Sequence, residues 1–165
     1  LYAWLFVPVF ALGAAHFAPE SDRHVHPRSY LEGVIAKALG GRAAELVFMG
    51  PDAVTTGAGS DLVQATSIAR RMVAEFGMSD EIGLISADPA AQGGPPSAQL
   101  QGEIDRAVRT LITAQAKRAE AIVRRHRDAV EALAEALLER EILASEDVLE
   151  IAAGHGVSRT ALAPA

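Results

Sequence analysis

Few conformations suit the stretch 54–77, which reads Val-Thr-Thr-Gly-Ala-Gly-Ser-Asp-Leu-Val-Gln-Ala-Thr-Ser-Ile-Ala-Arg-Arg-Met-Val-Ala-Glu-Phe-Gly. It predicts a glycine-bearing turn that opens a helix of about four to five turns. Gly57 and Gly59 permit a tight entry, Ser60 is a good N-cap, and Gly77 is placed to end the helix in the left-handed conformation. Leu62, Ala65, Thr66, Ala69, Met72, Val73 and Phe76 recur at steps of three and four, so one face is expected to be buried. Asp61 falls in the first turn, where the helix dipole and free backbone N–H groups keep a carboxylate charged. Two roles stay open at this point: a partner for the dipole, or a metal ligand.

The chain has 165 residues, enough for one domain with a real core. Half of them are hydrophobic and only 5% aromatic, which favours closely packed helices and a mainly α fold. There is no cysteine, so any metal must take His and carboxylate ligands. A net charge of -6 argues against a nucleic-acid partner. Residues 1–15 are apolar but interrupted by Pro8 and Gly13, shorter than a membrane span and without the charged start of a signal peptide. The chain itself is expected to be soluble, and its start at Leu1 rather than methionine suggests a fragment or a processed product.

Four blocks occur in one order: Leu39-Gly40-Gly41-Arg42-Ala43-Ala44-Glu45; Val54-Thr55-Thr56-Gly57-Ala58-Gly59-Ser60-Asp61-Leu62; Ala69-Arg70-Arg71-Met72-Val73; and Phe76-Gly77-Met78-Ser79. Together they resemble the proteolytic domain of the FtsH-type family of membrane-anchored, ATP-dependent zinc proteases. The resemblance implies that Asp61 is the third zinc ligand, beside two histidines of a His-Glu-x-x-His helix. It further implies that Leu12, Gly13 and Ala14 lie on a short edge strand against which an extended substrate peptide pairs. Phe17-Ala18-Pro19-Glu20-Ser21-Asp22-Arg23 is similar to the turn that follows this strand. Ala44-Glu45-Leu46 departs from the family's Ala-Glu-Glu.

No His-Glu-x-x-His occurs in the 165 residues, so no catalytic residue is assigned in this chain. His16, His24, His26, His126 and His155 cannot reproduce the motif. His24 and His26 could share a strand face and bind a metal, although solvated side chains in a proline-rich turn are the expected case. No Gly-x-x-x-x-Gly-Lys-Ser/Thr occurs, so ATP would be used by a separate module.

Pro27 suits a first helical turn, and Leu31, Val34, Ile35, Ala38, Leu39, Leu46 and Val47 predict an apolar face with a bend at Gly40-Gly41. The Gly-Pro content of residues 83–97 predicts a mobile loop. A long helix is expected over 97–126, with Leu100, Ile104, Ala107, Leu111, Ala114, Ile122 and Val123 facing inward. Asp128 should cap a second helix, buried through Val130, Leu133, Ala134, Leu137 and Leu138, and Ser145 should cap a third. Residues 132–151 resemble the family's closing region. Lys117, Arg118, Arg124, Arg125 and Arg127 read as a solvated helix face.

The expectation is therefore a mainly α metalloprotease domain over residues 1–153, with a short edge strand near the N-terminus, a C-terminal helical bundle, and a flexible tail over 154–165. By resemblance, its parent is a membrane-anchored homo-hexamer that degrades unfolded or membrane proteins with zinc and ATP. Its protease domain would lie in the cytoplasm or an organelle interior. The alternative is an inactive protease-like module for assembly or adaptor binding.

Overall fold

The structure, a computed structural model, describes residues 25–88 and 93–157. Among them the regular elements are all helical; the expected edge strand lies outside them. Packing divides the described residues into two units, 26–124 in one and 125–157 in the other.

In the first unit, α1 is Arg28–Ala38 and α2 is Gly40–Met49. Pro27 occupies the N-cap of α1 with φ -68°, the angle its ring enforces. The expected bend falls at Leu39, yet hydrogen bonding runs through it, since Leu39 N–H reaches Ile35 O at 3.1 Å and Ala43 N–H reaches Leu39 O at 3.0 Å. Two 3-10 turns, Pro51–Ala53 and Thr56–Ala58, lead into α3, Gly59–Ala74. A longer helix, α4, covers Ala98–Arg125, and the Ser97 hydroxyl accepts Leu100 N–H at 3.2 Å to cap its start.

The core of this unit joins Ile35, Leu39 and Ala43 from α1 and α2 to Ala65, Ala69, Met72 and Val73 of α3 and Ile104, Ala107, Val108 and Ala119 of α4. Alanine at the contact positions lets helix backbones approach closely, and α1 lies along α3. Ile35, Met72, Ile104 and Val73 are the largest fully buried side chains, each contributing about 1.5–3 kcal/mol by burial.

The buried stripe of α3 is shorter than its periodicity suggests. Leu62 and Phe76 are 37% and 43% exposed, and Thr66 is exposed with its hydroxyl donating to Leu62 O at 2.7 Å. Regular helix stops at Ala74, so Phe76 leaves the stripe, and the Arg71 guanidinium lies 4.9 Å from its ring centre. Gly77, at φ +63°, then turns the chain so that Met78 N–H returns to Met72 O at 3.0 Å. In α4 the stripe passes through Ile104, Ala107, Val108, Gln115 and Ala119; Ala114 falls to one side of its 3.6-residue repeat and is exposed, whereas Ile122 is in phase with Ile104 yet 47% exposed, one turn from the helix end.

In the second unit, α5 is Arg127–Arg140 and α6 is Ser145–Gly154. These two helices pack on each other, with Ala129, Ala152 and Val157 buried and an Arg140–Asp147 ion pair at 3.1 Å between them. Each starts one or two residues before its expected cap. Asp128 is inside the first turn of α5, whose N-cap is His126, and the N-cap of α6 is Ala144, whose N–H is held by Asp147 at 3.0 Å. Ala134 and Leu138 are exposed rather than inward, Leu138 at 85%. Beyond α6, Val157 N–H bonds Ala152 O at 2.9 Å; residues 158–165 of the expected tail lie outside the described residues.

Candidate functional site

The entry to α3 is built from a contact between segments ten residues apart. Midway along α2, Glu45 turns its carboxylate to Thr55: Oε2 accepts the Thr55 N–H at 3.0 Å and Oε1 accepts the Thr55 hydroxyl at 2.6 Å. Thr55 Oγ1 in turn accepts Gly57 N–H at 3.1 Å, capping the 3-10 turn Thr56–Ala58 that continues directly into α3. A Cβ on residue 57 would lie 3.2 Å from that hydroxyl, so glycine permits the close approach. Two bonds from Thr55, the hydroxyl's foremost, hold the Glu45 carboxyl below its ordinary range, with a lesser pull from Arg42. Ser60, expected as the cap, lies inside the helix; the N-cap position belongs to Ala58, which has no capping atom.

Asp61 is the third residue of α3. From that position a carboxylate commonly reaches back to the N-cap N–H. Here it is half-buried and makes no hydrogen bond or ion pair among the described residues. A carboxylate oxygen is a proper zinc donor, so Asp61 fits one ligand position. It does not make a site by itself: no group of three His, Cys, Asp or Glu among the described residues could hold a metal ion.

Leu12, Gly13 and Ala14 lie outside the described residues, as does His24. His26 stacks on the Tyr30 ring, centres 4.5 Å apart and planes 14° apart. Elsewhere in this unit Arg70 binds Asp105 at 2.7 Å between α3 and α4. That guanidinium, helped by Gln101 and Arg109, holds the Asp105 carboxyl below its ordinary range.

The model of peptidase family M41 matches residues 8–151. The chain is 36% identical over 151 residues to the ATP-dependent zinc metalloprotease FtsH of Chlamydia trachomatis serovar L2, which covers 86% of this chain and 16% of that protein. It is 41% identical over 156 residues to the ATP-dependent zinc metalloprotease FTSH 6, chloroplastic, of Oryza sativa subsp. japonica, covering 88% of this chain and 23% of that protein. Against the ATP-dependent zinc metalloprotease FtsH of Thermobaculum terrenum it is 42% identical over 151 residues, 86% of this chain and 23% of that protein. The chain thus spans about a fifth of the length of these curated relatives.

Proposed function

Since the chain belongs to peptidase family M41, we propose that it serves as the proteolytic domain of an ATP-dependent zinc metalloendopeptidase and that Asp61 is the carboxylate ligand of its zinc. The observation that carries this reading is the state of Asp61, half-buried at a helix start and uncommitted to any described partner. A carboxylate kept only to complement the dipole would be expected at the surface or bonded back to its cap. Asp61 would hold the ion together with two imidazoles of a His-Glu-x-x-His that this 165-residue sequence does not contain. When bound, zinc supplies Lewis-acid polarisation of the peptide carbonyl and an acidified water. The parent would be a membrane-anchored homo-hexamer acting on unfolded or membrane proteins, with ATP spent in a separate module. No helix among the described residues is long and apolar enough to cross a membrane.

The test is Asp61→Asn in the complete protein that carries the two-histidine motif. Asparagine keeps the size and much of the helix-start preference, so stability should change by no more than about 1 kcal/mol. Zinc content and protein degradation should collapse while ATP hydrolysis continues. Asp128→Asn, also in a first helical turn, should leave all three near normal. Normal zinc and normal degradation in Asp61→Asn would reduce Asp61 to a dipole partner. If neither the protein nor any variant degrades substrate or retains zinc, the inactive assembly module is the better description.

A further inference from the structure

We propose that Glu45 and Thr55 are positioning residues for Asp61: α2 sets, through the Glu45–Thr55–Gly57 relay, the turn from which the Asp61 helix starts. This rests on the reading of Asp61 as the zinc ligand. Three observations carry it. Both Glu45 oxygens are spent on one residue, which fixes Thr55 by its backbone and its side chain at once. The Thr55 hydroxyl, having donated its proton to Glu45, accepts from Gly57 N–H, so every bond in the series runs in one direction and each polarises the next. Finally, α3 has no side-chain cap of its own, because its N-cap is Ala58, so the relay is the polar anchor of the entry.

Asp61 follows Gly57 by four residues, about one helical turn. The 3-10 turn passes into α3 without an intervening loop, and Ala58 between them is buried at 7% exposure. With Gly57 held, the Cβ of Asp61 is held. With Gly57 released, the first turn of α3 is free to fray, as uncapped helix starts do. A carboxylate that must meet a metal within a few tenths of an ångström then lacks a fixed origin. Neither Glu45 nor Thr55 needs to touch the ion for this.

The experiment uses the complete protein with the two-histidine motif and compares Thr55→Val, Thr55→Ser and Glu45→Ala with Asp61→Asn. Amide exchange is followed by mass spectrometry over residues 55–62 and over α4, and zinc loss to a competing chelator is timed. Thr55→Val and Glu45→Ala should each speed exchange over 55–62 and zinc loss at least about tenfold, leaving α4 unchanged. Thr55→Ser, which keeps the hydroxyl, should restore both to within about twofold. The Glu45→Ala/Thr55→Val double variant should be no worse than either single one, since both break the same series. Zinc loss at the unaltered rate in Thr55→Val, with zinc depleted in Asp61→Asn, would overturn the positioning role and leave the ligand assignment standing. Zinc retained in Asp61→Asn would overturn both. If Thr55→Val also loosens α4, Glu45→Gln decides: its amide can serve the Thr55 N–H but not both bonds with oxygen, and zinc loss should rise several-fold. No rise there would count against the inference.

Discussion

At Glu45, two donors of Thr55 converge on two oxygens, an arrangement that an ionised carboxylate satisfies better than a protonated one, whose oxygens are weaker acceptors. Because those bonds lower its folded-state pKa from the ordinary 4.5, the stabilisation they give is complete above that value and is lost as pH falls through the folded-state pKa. The stability difference between the unaltered chain and Glu45→Ala, from urea unfolding at several pH values, should be constant from pH 7 to about 5 and shrink on further acidification. A gap that widens in acid would contradict the assignment. Asp105 titrates in the same direction but is present in both chains, so the comparison cancels it. Asp61 was legible from the sequence as a first-turn carboxylate. The Glu45–Thr55 pair was not, because no periodicity encodes a contact between a helix and a turn ten residues on. A polar residue on the half-buried side of α2 was the available signal.

The helices themselves fall where their apolar repeats predict, since burial of a stripe at 3.6-residue spacing is what stabilises each of them, but the stripes are narrower than the repeats, leaving Leu62, Ile122 and Leu138 exposed. Their starts do not fall where expected. Ser60 and Asp128 have the right chemistry for caps, but a helix begins where its first N–H groups find acceptors, and Thr55 satisfies Gly57 before Ser60 is reached. Ends were more readable, as at Gly77, where positive φ is a demand on residue type. Two glycine substitutions separate backbone from packing. A Cβ at Gly77 would meet Leu84 Cδ2 at an ordinary 3.6 Å, so the cost of Gly77→Ala is conformational, about 1–2 kcal/mol. Gly41, inside α2, has nothing within 4 Å of its Cβ position, and Gly41→Ala should stabilise by about 0.5–1 kcal/mol. Denaturant midpoints of the two variants should move in opposite directions; a shared direction would mean that these helix boundaries are misassigned.

The 165-residue sequence carries no His-Glu-x-x-His, and no group of three metal-holding side chains occurs among the described residues, so purified and zinc-supplemented chain should leave casein intact. Casein cleavage that a chelator abolishes would require a ligand set other than the family's. The division into two units was not legible, because the residues of α4 and α5 carry helical periodicity on both sides of Arg125 with nothing in composition to mark the change. The alanine content of the buried positions has a further consequence. Alanine supplies Ala43 in α2, Ala65 and Ala69 in α3, Ala107 and Ala119 in α4, Ala129 in α5 and Ala152 in α6. Truncation at such places removes a single methyl, whereas enlargement must force two backbones apart. Sequence drift in this protein is therefore constrained from both sides: enlargement at these positions has no room, and the one smaller residue, glycine, weakens each helix by about 0.5–1 kcal/mol.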